Sequence, residues 1–370
     1  ANKEGGGAIY FYSKCANINL NNNEFSKNVA STKTSNYGTE TSPIYSGGGA
    51  IRGEGSNINI TNSRFSQNYA NKSAGGAIYW QTGNYLNVSN CTFNYNYANN
   101  GAAIDTMASA ESANIEKCKF ENNTGSSRGA VWFSSKYGKI IMSNFTNNAG
   151  GSYGGAVTLN GQYATVSKCK FNKNTAGANG GAILISGSDN NVYDSNFTSN
   201  NCTGSGDGYG GGAIAISGSN NVINNSNFTS NHANSKGGAI YIHTGATGNE
   251  INYCGFTDNT AVNGGAVYIR SNDNPVRYSV FAGNNATHNG GAAYIIYNDI
   301  AYVDWNLFKN QATETDGKVT WQTGSSPDTY NIYQCIFDNN HDYLINVTHH
   351  ISGLTAVLTI NVPKDARGRV

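Results

Sequence analysis

The sequence predicts an all-β fold, a single-chain parallel β-helix of about twelve coils, each of 26 to 27 residues. Two motifs repeated in phase and the lack of a helical pattern predict it. The first motif, Gly-Gly-Ala-Ile/Val, recurs at residues 48–51, 75–78, 154–157, 180–183, 211–214, 237–240 and 264–267. A fixed period of this size is typical of a solenoid, in which each unit buries its apolar face by stacking on its neighbours.

The second motif is Phe-x-x-Asn, which follows the first in each coil. Its aromatic positions are Phe25, Phe65, Phe93, Phe120, Phe145, Phe171, Phe197, Phe228, Phe256, Phe281 and Phe337, and Leu307 takes the remaining place. Five residues before each of these stands an aliphatic residue, or Tyr302 in one coil. Each coil therefore has at least three side chains that are expected to point inward.

Short strands explain these units better than helices do. No window has apolar residues at i, i+3, i+4 and i+7 over the length of an amphipathic helix. Apolar residues alternate instead, so that Ile240 and Ile242 point one way while Tyr241 and His243 point the other. Clusters of Gly, Asn, Ser and Asp separate three such runs in each coil.

The composition fits an in-register stack. Only 12% of the residues are charged, because a column of like charges about 4.8 Å apart repels itself, whereas Asn, Ser and Thr columns can hydrogen-bond along the stack. The 46 glycines are expected at turn positions with positive φ. A net charge of +1 indicates no strongly basic surface of the kind that binds nucleic acid or an anionic membrane.

Five of the seven cysteines occupy the position two residues before the repeat Phe, where other coils have Ser; these are Cys91, Cys118, Cys169, Cys254 and Cys335. Their spacing matches no zinc motif. We expect free thiols packed as small apolar groups. A disulfide between Cys91 and Cys118 on adjacent coils is the alternative, and it would imply an oxidising exterior.

Two domains are expected, a β-helix over residues 1–350 and a C-terminal segment over residues 351–370. The segment lacks both motifs, and its alternating apolar residues predict either a capping strand or the opening strand of a separate domain. Residues 6–9 already form a motif, so we expect a fragment of a longer exported protein. No apolar run is long enough to span a membrane. Twelve Asn-x-Ser/Thr sequons, Asn87 among them, are candidate glycosylation acceptors.

The paired motifs resemble those of the chlamydial polymorphic outer-membrane proteins, which are surface adhesins with a β-helical passenger. The Asn-, Tyr- and Gly-rich composition and the tail from Thr359 to Ala366 are similar to the adhesin-like surface proteins of methanogenic archaea, where immunoglobulin-like repeats follow the β-helix. These resemblances imply a right-handed helix, an extracellular cell-surface location and attachment to other cells. They supply no ligand and no catalytic residue.

A candidate ligand-binding face lies on the Gly-Gly-Ala strands, at their outward positions. Three consecutive coils place Tyr241, Tyr268 and Tyr294 in one column beside His243 and Arg270. Exposed aromatic faces at this spacing can dock sugar rings or a protein surface. The alternative interpretation is that Tyr simply favours exposed β positions.

Two insertions interrupt the period, at residues 31–45 and 203–210. Insertions on solenoids often lie on the binding face, although functionless loops are also common. Asp207 in the second insertion matches no calcium-binding motif. We expect no metal and no cofactor.

Enzymatic function is one alternative class, since many parallel β-helices cleave polysaccharides. Such sites need clustered carboxylates, whereas Glu54 and Asp105, the acidic residues of the Gly-Gly-Ala face, lie two coils or roughly 10 Å apart. We therefore predict no catalytic residues. The predicted function is attachment to surface glycans or proteins of a partner cell, as a monomer, without nucleic acid or membrane insertion. A structural spacer of the cell envelope is the other alternative.

Overall fold

The computed structural model describes residues 6–30 and 47–296 and, beyond them, the strands within 302–362 given below. The fold is a parallel β-helix of about nine turns with a spacing of about 27 residues, which confirms the predicted class. The prediction of twelve coils is larger than nine because it includes the coil at Ala8 and the coils after residue 290. The structure describes only part of each of those turns. The chain divides into two compact units, Ala1–Gly177 and Ala178–Val370.

Each coil of the first unit contributes to three parallel sheets. The first sheet holds the Gly-Gly-Ala strands Ile9–Phe11, Ile51–Gly53, Ile78–Trp80, Ile104–Thr106, Val131–Phe133 and Val157–Leu159. The second sheet holds two segments per coil: Ala16–Asn21, Ser56–Thr61, Leu86–Ser89, Asn114–Glu116, Lys139–Ile141 and Thr165–Ser167, then Glu24–Ser26, Arg64–Ser66, Thr92–Asn94, Lys119–Glu121, Asn144–Thr146 and Lys170–Asn172. The third sheet holds Tyr69–Ala74, Tyr97–Asn100, Thr124–Gly125, Ala149–Gly150 and Thr175–Ala176.

The second unit repeats this arrangement. Its first-sheet strands are Ile183–Ile185, Ile214–Ile216, Ile240–Ile242, Val267–Ile269, Ala293–Ile296, Gly317–Gln322, Tyr343–Ile351 and Leu354–Val362. Its second-sheet strands are Asn191–Tyr193, Asn196–Thr198, Val222–Asn224, Asn227–Thr229, Glu250–Asn252, Gly255–Thr257, Val276–Ala282, Tyr302–Phe308 and Asn331–Phe337. Its third-sheet strands are Asn201–Cys202, His232–Ala233, Thr260–Asn263, Asn285–Asn289 and Gln311–Ala312.

The last two strands, Tyr343–Ile351 and Leu354–Val362, pair antiparallel, unlike the parallel strands before them. The predicted boundary between residues 350 and 351 falls at the end of the first of these. The division into domains at that point stays a prediction. The first predicted insertion, at residues 31–45, lies outside the described residues.

A stack of buried phenylalanine rings fills the interior beneath the second sheet. In the first unit, the Phe93 and Phe120 centroids lie 4.9 Å apart and those of Phe120 and Phe145 4.6 Å apart, with their planes within 5° of parallel. The second unit has the same arrangement, for example between Phe197 and Phe228 at 4.8 Å. These distances equal the rise between strands, so the in-register repeat alone sets the stacking.

The asparagines of the Phe-x-x-Asn motif form a buried hydrogen-bonded ladder, which confirms the expected Asn columns. Asn96 Nδ2 donates to Asn123 Oδ1 at 2.9 Å, and Asn123 Nδ2 donates to Asn148 Oδ1 at 3.0 Å. Each amide also donates to the main chain of the preceding coil, as Asn123 Nδ2 does to the Phe93 carbonyl at 3.0 Å. Thus one side chain satisfies the backbone at a bend where sheet pairing is interrupted.

Residues with positive φ form left-handed corners that shape each coil. The expectation that glycines occupy these corners needs correction. Positive φ occurs at the glycines of the Gly-Gly-Ala motif, as at Gly75 with φ 62°, but more often at other residues. Three corners around the second sheet repeat in nearly every described coil, occupied by Asn, Lys, Asp, Ser and Tyr, for example Asn62, Lys117 and Tyr137. Asn and Asp tolerate this conformation best, whereas for Tyr it is uncommon.

Candidate functional site

The predicted ligand-binding residues of the second unit do come together. Tyr241 pairs in register with Tyr268, and Tyr268 with Tyr294. The Tyr241 and Tyr268 ring centroids are 5.6 Å apart with planes at 70°, and those of Tyr268 and Tyr294 are 5.1 Å apart at 42°. The rings therefore meet edge to face or tilted, rather than as a flat row of parallel faces.

The expected exposure of this column is wrong for two of the three rings. Tyr241 is 1% exposed and Tyr268 4% exposed, while Tyr294 is half-buried. Lys236 Nζ, from the bend before the Tyr241 strand, lies 5.5 Å from the Tyr268 centroid and helps to cover that ring. A Cβ at Gly210 would lie 3.0 Å from Tyr241 Cδ1. The ligand-binding role of the five residues stays a prediction.

The second insertion, residues 203–210, is anchored beside these rings by Asp207. Its carboxylate accepts hydrogen bonds from Lys236 Nζ and, at 2.9 Å, from Arg270 Nη1. Hydrogen bonds and charge from these two cations lower the pKa of Asp207 to about 2. The insertion therefore lies beside the predicted face, with an exposed carboxylate that partly neutralises two cations.

His243 lies against Tyr241, with ring centroids 4.2 Å apart. Burial, followed by the charges of Lys236 and Arg270, lowers the pKa of His243 to about 4. Its imidazole is thus neutral at pH 7. Among the described residues its Nε2 has no hydrogen-bond partner.

The same column of the first unit is also covered. Asp105 is completely buried, and neither of its carboxylate oxygens has a hydrogen-bond partner among the described residues. Burial raises the pKa of Asp105 well above its usual value, and the nearby charge of Arg128 lowers it only in part. The Arg128 guanidinium lies 4.3 Å from the Trp132 ring centroid. Glu54 has a different setting, since it accepts a hydrogen bond from the Tyr10 hydroxyl at 2.7 Å.

Candidate metal ligands do not cluster in the part of the chain that the structure describes: no group of three or more His, Cys, Asp or Glu is placed to hold a metal ion. The six described cysteines are free thiols, including Cys91 and Cys118. Cys91 Sγ and Cys118 Sγ each contact the backbone carbonyl two residues before them, at 3.2 Å. They occupy the same place as Ser143, whose hydroxyl donates to the Ile141 carbonyl.

Exposed tyrosines at the left-handed corners are the surface feature that sequence reasoning missed. Tyr85, Tyr137 and Tyr163 are 54%, 50% and 46% exposed, at φ 62°, 58° and 57°. Tyr253 and Tyr278 occupy a second corner and stack at 4.9 Å. A signal was present in the sequence: the position three residues before each aliphatic anchor is mostly Asn, Asp, Ser or Gly, which marks a left-handed corner.

The comparisons with known proteins agree with this architecture. A family model described as a right-handed β-helix region matches residues 48–206. A second, described as a Chlamydia polymorphic membrane protein repeat, matches residues 225–243. A search of curated proteins finds no match to this chain.

The class that the fold defines is therefore the parallel β-helix. One of its repeats is similar to that of the chlamydial polymorphic membrane proteins, and this similarity is consistent with a protein of the cell surface. No helix among the described residues combines the length and the apolarity needed to cross a bilayer.

Proposed function

We propose that this chain is an extracellular, cell-surface adhesin-like protein that attaches to glycans or proteins of a partner cell. Its similarity to the adhesin-like surface proteins of methanogenic archaea and its monomeric state belong to this proposal. The mechanism is reversible contact through several weak sites on a stiff scaffold. Many copies on one cell then give a high overall avidity.

The observation that carries this proposal is the set of exposed corner tyrosines. Tyr in the left-handed conformation is strained by roughly 1 to 2 kcal/mol relative to ordinary backbone geometry, and Asn or Gly at the same corners would avoid much of that cost. Lysines such as Lys168 and Lys173 accept the same strain, so the exposed ring itself is what favours an adhesin over a spacer. An exposed tyrosine ring offers apolar area together with a hydroxyl.

We further propose that the chain works by binding and not by catalysis. Glu54 and Asp105 differ in setting, one held by Tyr10 and the other fully buried. A hydrolytic carboxylate pair must reach the same bond of a bound substrate. Turnover of a polysaccharide by the purified protein would overturn this part of the proposal.

The test is attachment of the purified protein to a panel of intact microbial cells. One variant replaces the corner tyrosines by Ser, a residue found natively at such a corner in Ser112. The replaced residues are Tyr85, Tyr137, Tyr163, Tyr253, Tyr278 and Tyr95, the last of which is 58% exposed at φ 56°. The matched control replaces the non-aromatic corner residues Asn147, Lys168 and Lys173 by Ser. We expect saturable attachment of the parent protein, loss in the tyrosine variant and retention in the control.

Two results would contradict the proposal. Attachment to no cell, by a protein with a normal β-rich spectrum, would leave the spacer function as the better explanation. Equal attachment by the parent and the tyrosine variant would remove the observation on which the proposal rests.

A further inference from the structure

A groove on the second sheet of the first unit interrupts the column of corner tyrosines. At this corner, successive coils place Tyr85, Ser112, Tyr137 and Tyr163 in register, and the neighbouring strands pair Asn87 with Asn114 and Asn114 with Lys139. Ser112 lacks a ring, so a gap opens between Tyr85 and Tyr137. The resulting groove has a volume of about 560 Å³.

We propose that this groove binds one neutral hexopyranose ring of a glycan, between Tyr85 and Tyr137. The inference rests on the proposed adhesive function and adds a particular site and ligand class to it. Tyr85 and Tyr137 line the groove on either side of Ser112, and Asn87, Asn114, Glu116 and Lys139 lie along its polar part.

The size of the gap favours a sugar ring. Positions two coils apart on a parallel stack are separated by about 9.5 Å, and carbon atoms in contact lie about 3.5 to 4.0 Å apart. The gap therefore has room for a single ring. A pyranose has C–H groups on both faces that can contact the two tyrosines, and it carries hydroxyls that can meet the polar groups of the groove.

One wall of the groove is already in place without a ligand. The Tyr137 ring is stacked on Tyr163, with centroids 5.3 Å apart and planes 13° from parallel. Lys136 Nζ lies 5.1 Å from the Tyr137 centroid and 5.6 Å from that of Tyr163. These contacts restrict the ring before binding, which lowers the entropy lost when a weak ligand binds.

The polar groups fit the hydroxyls of a neutral sugar. Asn114 Oδ1 is buried without a hydrogen-bond partner among the described residues, and a rotation of this side chain would let the oxygen accept from a sugar hydroxyl. The Asn87 amide already donates to Asn59 Oδ1 at 3.0 Å, which fixes its orientation. The two charged residues that line the groove, Glu116 and Lys139, have opposite signs. The lining therefore carries no net charge, which favours a neutral ring over a uronic acid.

The decisive variant is Ser112→Tyr, which fills the gap and removes neither wall. The neighbouring coils carry Tyr at the same corner, so the variant is expected to fold and to extend the existing ring stack. Tyr85→Ser removes one wall and introduces Ser, the residue that already occupies the same corner at position 112. Tyr253→Ser is the matched control, since Tyr253 is an exposed tyrosine at a left-handed corner that neither lines the groove nor contacts its walls.

The measurement is binding of neutral gluco-, galacto- and manno-oligosaccharides, and of uronic-acid oligosaccharides, by titration calorimetry. The full chain is made in bacteria, so that the sequon at Asn87 carries no glycan. We expect at least one neutral series to bind the parent. Affinity should fall at least about tenfold in Ser112→Tyr and Tyr85→Ser, as expected for the loss of contacts made by a central aromatic residue, and less than about threefold in Tyr253→Ser.

Three outcomes would overturn the site: binding unchanged by Ser112→Tyr, binding of the uronic-acid series alone, or no binding of any oligosaccharide. Cell attachment by the same proteins distinguishes failure of the sugar-binding site from failure of the proposed adhesive function. A protein that attaches to cells but fails the sugar test keeps its adhesive function and loses this site. A protein that fails both tests loses both.

Discussion

The Asp207 carboxylate pairs with the Arg270 guanidinium at 2.9 Å, across 63 positions of the chain, and so ties the glycine-rich insertion to the aromatic column. We predict that Asp207→Asn is cleaved a few-fold faster at residues 203–210 in limited proteolysis, because the loop loses its ion pairs with Lys236 and Arg270 and keeps only the Lys236 hydrogen bond to the Asp207 carbonyl. Asp258→Asn, at an exposed left-handed corner, is the control and should be cleaved like the parent. Identical cleavage of all three proteins would show that these ion pairs do not hold the loop.

The Asn ladder predicts a large effect from a single amide. Asn123→Ala removes the side-chain partners of the Phe93 carbonyl and of the Asn96 backbone N–H, and each buried group left unpaired costs about 1 to 3 kcal/mol. We expect a lower thermal midpoint, equivalent to a loss of at least about 2 kcal/mol. Asn144→Ala, at an exposed strand position, should change the midpoint little. Equal midpoints for the two variants would mean that the ladder does not stabilise the coil.

The phenylalanine stack predicts that the loss of stability on substitution depends on the size of the side chain that replaces the ring. Phe120 is fully buried between two parallel rings, so Phe120→Ala should cost about 3 to 5 kcal/mol through lost burial and a cavity. Phe120→Leu should cost less than half as much, because Leu307 occupies the same repeat position in this chain. Thermal unfolding followed by circular dichroism checks both. An alanine variant as stable as the leucine variant would contradict the prediction.

Asp105 predicts a pH-dependent stability with a definite sign. Burial raises its pKa well above the ordinary value of 3.8, so the folded chain binds the proton more tightly than the unfolded chain. The resulting stabilisation is complete below pH 3.8 and is lost as the pH rises through the raised pKa.

Asp105→Asn cannot carry the buried charge and should therefore unfold at a higher temperature than the parent at pH 8, by an amount equivalent to about 1 to 3 kcal/mol. The difference should shrink or reverse at pH 4. Glu121→Gln, which changes an exposed acid, serves as the control. Parallel curves of midpoint against pH for the parent and Asp105→Asn would refute the assignment.

The buried thiols predict slow alkylation. Burial raises the pKa of Cys169 and of Cys254 to about 12 and that of Cys202 to about 11, so little thiolate forms at pH 8. We expect iodoacetamide to modify Cys15, the one described cysteine that is not buried, well before these three. Mass spectrometry over time gives the order, with the urea-unfolded chain as the control. Early modification of Cys169 would indicate that the coil opens locally.

Much of the coil could be predicted from the sequence. The motif period identified which residues point inward, and Phe120 and Asn123 lie in the stack and the ladder that the spacing predicts. An identical residue at an identical offset in each coil has only one kind of neighbour, the copy above and the copy below. Local alternation was therefore enough to predict the interior.

The surface could not be predicted in the same way. Alternation placed Tyr241 and Tyr268 on the outward side of their strands, but it could not reveal that Lys236 lies over Tyr268 or that Gly210 packs close to Tyr241. The corner tyrosines were missed for a related reason. An isolated Tyr gives no sign of a positive φ, and only the comparison of Tyr85 and Tyr137 with Ser112 at the same corner shows the column and its gap.

The sequence by itself determined the class of fold, the strand repeat and the buried columns, because these depend on contacts between equivalent positions one period apart. Only the tertiary structure decided which outward side chains reach solvent. Exposure depends on the shape of the coil's cross-section, and that shape is set by where the left-handed corners turn the chain. The covered Tyr241 column and the open groove beside Ser112 are both consequences of those turns.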